Sequence, residues 1–198
     1  EQGPLLRFFL FETAPGEHLL LLVIHHIIID ADALETFRRE LAVCYRAHRA
    51  GQPPQLPPLK QTYADYARRE RARLTPARTA ACMDYWRQAL AGAPELLRLP
   101  LDRPRPPYPV FSSGNIDFEF SSELVQRLRD LRGAEGVSLF TVMLAAFAVY
   151  LMRLGGQDDV VVGVPFVDRR EPETRDLIGC FVNLLPVRVN LAGAPPFR

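Results

Sequence analysis

Two hydrophobic periods alternate along the chain. Leu19-Leu20-Leu21-Leu22-Val23-Ile24 is a short aliphatic run bounded by the turn signal Ala14-Pro15-Gly16-Glu17, and it reads as a buried strand. The spacing predicts strands over about Leu5 to Thr13 and His18 to His26. Beyond Asp30 the period changes: Leu34, Phe37, Leu41, Cys44, Tyr45 and His48 are spaced to cover one face of a helix that ends near Gly51. Residues 52–58 hold four prolines and form a connector, because proline removes donors and fixes φ. Two helices follow, one from Thr62 to about Leu74 and one opened by Thr75-Pro76 and closed at Gly92. A proline-rich, extended passage runs from Pro94 to Pro109. After it, Ile116, Phe118 and Phe120 alternate as in a half-buried strand, and Leu124, Leu128 and Leu131 mark a helix stopped near Gly133. Ser138 caps an apolar helix that ends at Gly155-Gly156, and Val160 to Val164 and Phe181 to Leu191 are the last strands. Strands interspersed with helices predict an α/β layered fold.

Candidate chemistry concentrates where the second strand gives way to the first helix. His25 and His26 end the apolar run, and Asp30 follows after Ile27-Ile28-Ile29. Successive strand side chains point to opposite faces, so in extended backbone only one histidine enters a given cavity and the other needs a structural partner. Asp30 stands where it can cap the helix or pair with an arginine.

Composition narrows the field. With 48% hydrophobic and 24% charged residues the chain can bury a core, and a formal net charge of +1 offers no global field for nucleic acid or an anionic membrane. Cys44, Cys82 and Cys180 are widely separated, without a CxxC spacing, so neither a disulfide framework nor a zinc site is indicated and a reducing, cytoplasmic setting is expected. The apolar helix from Leu139 to Leu154 is shorter than the ~20 residues that span a bilayer. No signal peptide opens the chain. The arginines at 68, 69, 71 and 73 read as a solvated helix face, and Cys180 as an inert thiol.

The pattern HHxxxD at a strand-to-helix junction resembles the condensation domains of nonribosomal peptide synthetases and their acyltransferase relatives. Further segments match that family in order: Gly3-Pro4-Leu5-Leu6-Arg7, Tyr63-Ala64-Asp65-Tyr66-Ala67, and Tyr85-Trp86 with Leu90. Leu99 to Pro106 is similar to its LPxDxPRP passage. Gly163-Val164-Pro165 with Arg169, and Ile178-Gly179-Cys180-Phe181-Val182-Asn183 with Arg188, complete the series. The resemblance implies an α/β, chloramphenicol acetyltransferase-like two-lobed fold. The chain would cover the end of the first, histidine-motif lobe (1–103) and the start of the second (104–198), as an internal fragment of a longer polypeptide. A half-channel of this kind leaves an apolar face uncovered, so the isolated 198 residues are expected to be poorly soluble or partly molten.

The resemblance also implies a reaction, in which the amine of a carrier-bound aminoacyl group attacks a carrier-bound acyl or peptidyl thioester to form an amide. It gives the catalytic role to His26, support of the motif to His25, Asp30 and Ala31, and ordering of the strand and channel floor to Asn183 and Arg188. No cofactor would be bound directly and no metal is called for, since upstream and downstream peptidyl carrier domains deliver the phosphopantetheine arm. A neighbouring adenylation domain is the other implied partner; nucleic acid and membrane are not partners. An epimerising or ester-forming domain of the same superfamily is the alternative enzyme, and a degenerate carrier-docking domain the alternative without catalysis. Ala31 is a departure, because the family usually has glycine there. If that position needs a left-handed backbone, alanine costs on the order of 1 kcal/mol; if it needs empty space, the methyl group narrows the channel.

Overall fold

A computed structural model describes residues 3–108 and 113–197. The chain folds as two compact units. Unit 1 comprises 1–83 and 165–185, and unit 2 comprises 84–164 and 186–198.

In unit 1, strands β1 (Leu6–Ala14) and β2 (Glu17–Ile24) form an antiparallel ribbon in which Leu6 faces Ile24 and Glu12 faces His18. The register slips between Glu12 and Ala14, where Gly16 takes a φ of 78° to close the turn. The period-2 faces of this ribbon are both apolar: Phe8, Leu10 and Leu20 lie on one side, and Phe9, Phe11, Leu19, Leu21 and Val23 on the other. All of these are exposed, Leu10 by 67% and Phe8 by 53%. Strands apolar on both faces belong in the interior of a sheet covered on both sides.

The second strand ends two residues before the His26 expected for it. It stops at Ile24, and His26–Ile28 form a single 3-10 turn. The alternation rule for two strand residues therefore does not apply to the histidine pair. Local hydrogen bonding ends the strand, because the His25 side chain accepts from the Ile27 N–H and caps the turn.

Helix α1 (Ala31–Arg49) follows, capped by Asp30. Its tightly buried positions are Ala33 and Thr36, whereas Leu34, Leu41 and Tyr45 of the predicted stripe are exposed. The helix thus seats its small residues in the interior of unit 1, with Phe37 half-buried and the other large residues of the stripe partly exposed. Helix α2 (Tyr63–Arg73) starts at a capping box in which Thr62 and Asp65 satisfy each other's backbone N–H. Its arginines are not a plain solvated face: Arg69 and Arg73 both pair with Glu171, Arg73 also with Glu70, and Arg68 with Asp65.

Helix α3 (Pro76–Ala89) begins in unit 1 and ends in unit 2. Within unit 2, α4 (Ser122–Glu135) is capped by Ser121 and runs past Gly133 to a left-handed Gly136. Ser138 accepts from the Thr141 N–H at 3.0 Å to open α5 (Leu139–Gly155), which Gly156 ends. No single described helix is long and apolar enough to cross a membrane. Strands β3 (Asp159–Val167) and β4 (Val182–Asn190) pair, with the Asp168 N–H donating to Phe181 at one end and the Leu191 N–H to Asp158 at the other. The unit 2 core gathers Ala148, Leu151 and Val160, with Leu97, Leu99, Val162, Val189 and Leu191 around them.

The alternation at Ile116, Phe118 and Phe120 yields no strand, and all three side chains are exposed. A strand needs a hydrogen-bonding neighbour, and among the described residues this segment has none.

Candidate functional site

The histidine turn is held from behind by one buried ion pair. Asp30 is 2% exposed and its carboxylate is fully engaged. Oδ1 accepts from the Ala33 N–H at 2.8 Å, which caps α1, and from Arg169 Nη2 at 2.8 Å; Oδ2 accepts from the Phe181 N–H at 2.9 Å. The Asp30 N–H in turn donates to the Gly179 carbonyl at 3.2 Å. Burial alone would raise the Asp30 pKa, but the N–H groups of Ala33 and Phe181 and the Arg169 guanidinium outweigh it and hold the carboxyl below its ordinary value.

Arg169 completes the cluster. Its side chain is 7% exposed, and Nη1 donates to the carbonyls of Thr174 at 2.6 Å and Leu177 at 2.9 Å. The guanidinium carbon lies 4.0 Å from the centroid of the Phe181 ring. Tyr63 and Tyr66 of α2 pack on that same ring, at 5.2 and 4.7 Å between centroids. Three regions far apart in sequence therefore meet here: 30–33, 63–66 and 169–181. Arg169 stands in the sequence beside Gly163-Val164-Pro165 without a stated task. The signal for it is chemical, since a buried aspartate at the start of a helix requires a cation.

In front of this clamp lies the turn itself. His25 Nδ1 accepts from the Ile27 N–H at 3.1 Å. His26 is exposed, and its imidazole makes no hydrogen bond among the described residues. Ala31 is exposed too and is the first residue of α1, with φ outside the left-handed region. The backbone penalty considered for alanine at this position is thus absent, and only the space taken by its methyl group distinguishes it from glycine.

Asn183 and Arg188 do not join the cluster. Asn183 sits exposed on the unit 1 part of β4. Arg188, in unit 2, pairs with Asp159 at 2.6 Å and donates through Nη1 to the carbonyls of Ala89 and Ala91, which fastens β4 to the end of α3. No group of three or more His, Cys, Asp or Glu among the described residues is arranged to hold a metal ion. Cys180 is half-buried, and its carbonyl, not its thiol, is used, accepting from the Tyr63 hydroxyl at 2.7 Å.

The condensation-domain family model matches residues 1–198. Phosphinothricin tripeptide synthetase PhsB of Streptomyces viridochromogenes is 43% identical over 195 residues, 98% of this chain and 16% of that protein. The X-domain from teicoplanin biosynthesis superposes with a TM-score of 0.89 at 31% identity, over 99% of this chain and 45% of that one. The first condensation domain of the CDA synthetase gives a TM-score of 0.70 at 29% identity, over 98% and 42%. The chain thus spans less than half of these solved domains and a sixth or less of the synthetase. Its α/β fold is of the chloramphenicol acetyltransferase-like kind that these neighbours share, and the chain belongs to the condensation-domain family of nonribosomal peptide synthetases.

Proposed function

We propose that the parent of this chain forms amide bonds between carrier-bound substrates and that His26 is its catalytic residue. The observation that carries this reading is the exposed His26 imidazole on a turn clamped from behind by the buried Asp30–Arg169 pair. An acceptor α-amine has a pKa of roughly 7.7 to 8.0, so an appreciable fraction is neutral near pH 7 and attacks without a strong base. Holding two tethered reactants in line is worth effective molarities of ~10⁵ M or more, against ~10² to 10⁴ for general-base help. Positioning therefore comes first. The amine nitrogen forms the new C–N bond, the C–S bond of the thioester breaks, and the amine proton passes to His26 and on to the departing thiolate. The phosphopantetheine arm enters as part of the substrate, delivered by peptidyl carrier domains on either side. An adenylation domain of the same polypeptide is the neighbouring partner. Division into a histidine-motif lobe (1–103) and a following lobe (104–198) belongs to this reading of the parent.

A second reading, a domain that docks a partner without condensing, is favoured by two observations. One is Ala31, whose methyl group occupies space at the start of α1. The other is the likeness to the teicoplanin X-domain, which has been solved in complex with OxyB.

The test is mass-spectrometric detection of amide product by the complete parent with loaded donor and acceptor carriers. Product from the native protein and at least a hundredfold less from His26→Ala is the expected outcome. A native protein that binds loaded carriers yet makes no amide supports docking. If Ala31→Gly then yields product, the methyl group is the obstacle.

A further inference from the structure

Gly179 is a glycine for want of space. Its φ is not left-handed, yet a Cβ there would collide with Cδ2 and Cε2 of Tyr63. The same tyrosine donates its hydroxyl to the carbonyl of Cys180 at 2.7 Å and meets the Phe181 ring edge-on at 5.2 Å. Three consecutive residues thus lie against one side chain. On their other side the strip faces Asp30, with the Gly179 carbonyl accepting from the Asp30 N–H and the Phe181 N–H donating to Oδ2. The strip has no helical or strand structure of its own from Leu177 to Phe181, so these contacts hold its position.

We propose that Tyr63 is a positioning residue for the histidine turn, wedged against Gly179 so that the 179–181 strip is pressed onto Asp30 and, through Asp30, fixes the turn that carries His26. This rests on the condensing reading above. Arg169 and the helix cap hold the carboxylate from two directions, while the strip sets the height of the Asp30 backbone through its N–H. The hydroxyl is the part of Tyr63 that registers the strip along its length, because a ring alone slides over a glycine.

The test compares Tyr63→Phe, Tyr63→Ala and Gly179→Ala with the double variant Tyr63→Ala/Gly179→Ala in the complete parent, reading three quantities. Amide formation is measured at varied loaded acceptor carrier, hydrogen exchange is followed at peptides containing Asp30 and Phe181, and the melting temperature reports folding. Tyr63→Phe keeps the ring and is expected to speed exchange at both peptides. It should lower kcat by about tenfold to a hundredfold, the scale of a small misplacement, with KM for the acceptor carrier and the melting temperature little changed. Gly179→Ala should be worse than Tyr63→Phe in exchange, and truncating Tyr63 as well should recover part of that loss. Unchanged exchange in Tyr63→Phe, or strictly additive effects of Tyr63→Ala and Gly179→Ala, overturns the proposal. If the native parent makes no amide, the condensing reading fails, and the exchange measurements still decide whether Tyr63 sets the turn.

Discussion

The Asp30–Arg169 cluster and the β1–β2 ribbon belong to the same unit and are built on opposite terms. Every polar atom of the Asp30 carboxylate finds its partner within unit 1, and the residues that supply them come from segments up to 151 positions apart. In the ribbon the pairing runs unbroken from Leu6–Ile24 to Glu12–His18, yet Phe8, Phe9, Leu10 and Phe11 are all exposed. Polar complementarity is short-ranged and has a stoichiometry, so it closes with few residues. Apolar burial needs area, and a ribbon apolar on both faces needs a layer on each. A stretch of less than half of a solved condensation domain can therefore satisfy both Asp30 oxygens, with the buried Arg169 Nε left without a hydrogen-bond partner among the described residues, beside a ribbon whose apolar faces stay exposed.

The largest effect expected from breaking this contrast is at Arg169. Arg169→Leu removes the cation and leaves the Asp30 carboxylate charged and buried. Loss of one partner of such a pair costs about 3–5 kcal/mol. Urea unfolding of the complete condensation domain should show a midpoint lowered accordingly with an unchanged slope. Arg69→Leu, which breaks a half-exposed pair with Glu171, should cost no more than about 1 kcal/mol. Equal costs for the two would mean that burial does not set the worth of the Arg169 pair.

Protonation probes the same cluster more gently. Asp30 has a folded pKa below its unfolded value, so its contribution is fully present above the unfolded pKa of about 3.9 and disappears as pH falls through the lower folded value. Stability should therefore decline below about pH 5 and keep declining under pH 4. Asp30→Asn, already without the charge, should show a flatter profile in that window. Asp65, held down to about 2 chiefly by its hydrogen bonds with Thr62, obeys the same linkage from the surface, so Asp65→Asn should flatten the profile as well, and the double variant Asp30→Asn/Asp65→Asn should be flatter than either single one. A native profile no steeper than that of Asp30→Asn would remove the cluster from the acid response.

Legibility in the sequence follows the same division. The elements whose ends are fixed locally are readable: Thr62 and Ser138 cap the helices they precede, and Gly156 ends α5. Asp30 is readable as a cap or an arginine partner because its position admits few other tasks, and it is both. That Arg169 is the arginine, and that Tyr63 meets Gly179, depends on contacts across more than 100 residues, which no local period encodes. The errors lie where pattern implies a partner that the described residues lack. Ile116, Phe118 and Phe120 alternate without a neighbouring strand among the described residues, and Leu34, Leu41 and Tyr45 stripe α1 with only partial burial. The histidine pair leaves the strand for a different reason: the His25 side chain accepts from the Ile27 N–H and caps the 3-10 turn that follows Ile24.

Substitutions on the ribbon should have the smallest effect on folding in the isolated 198 residues and the clearest effect on solubility. Phe8→Thr with Leu10→Thr keeps two residues of adequate strand propensity on one face and removes exposed apolar area without opening a cavity. Far-ultraviolet circular dichroism and its thermal midpoint should hardly change, within about 0.5 kcal/mol, as for other surface positions. Sedimentation should show less aggregate and a hydrophobic dye should bind less. In the complete domain, where the ribbon's faces are expected to be covered, the Phe8 substitution alone should cost several kcal/mol, on the scale of about 3–5 for a large core aromatic truncated to alanine. The ratio of the two costs measures how much of the ribbon's burial is supplied by the rest of the parent. A ribbon indifferent to substitution in both settings would have no covering layer even in the complete domain, and its double apolar pattern would need another explanation, such as a partner protein. A ribbon costly in both would mean that the 198 residues bury it themselves, and a sharp cooperative unfolding transition of the isolated monomer would accompany that result.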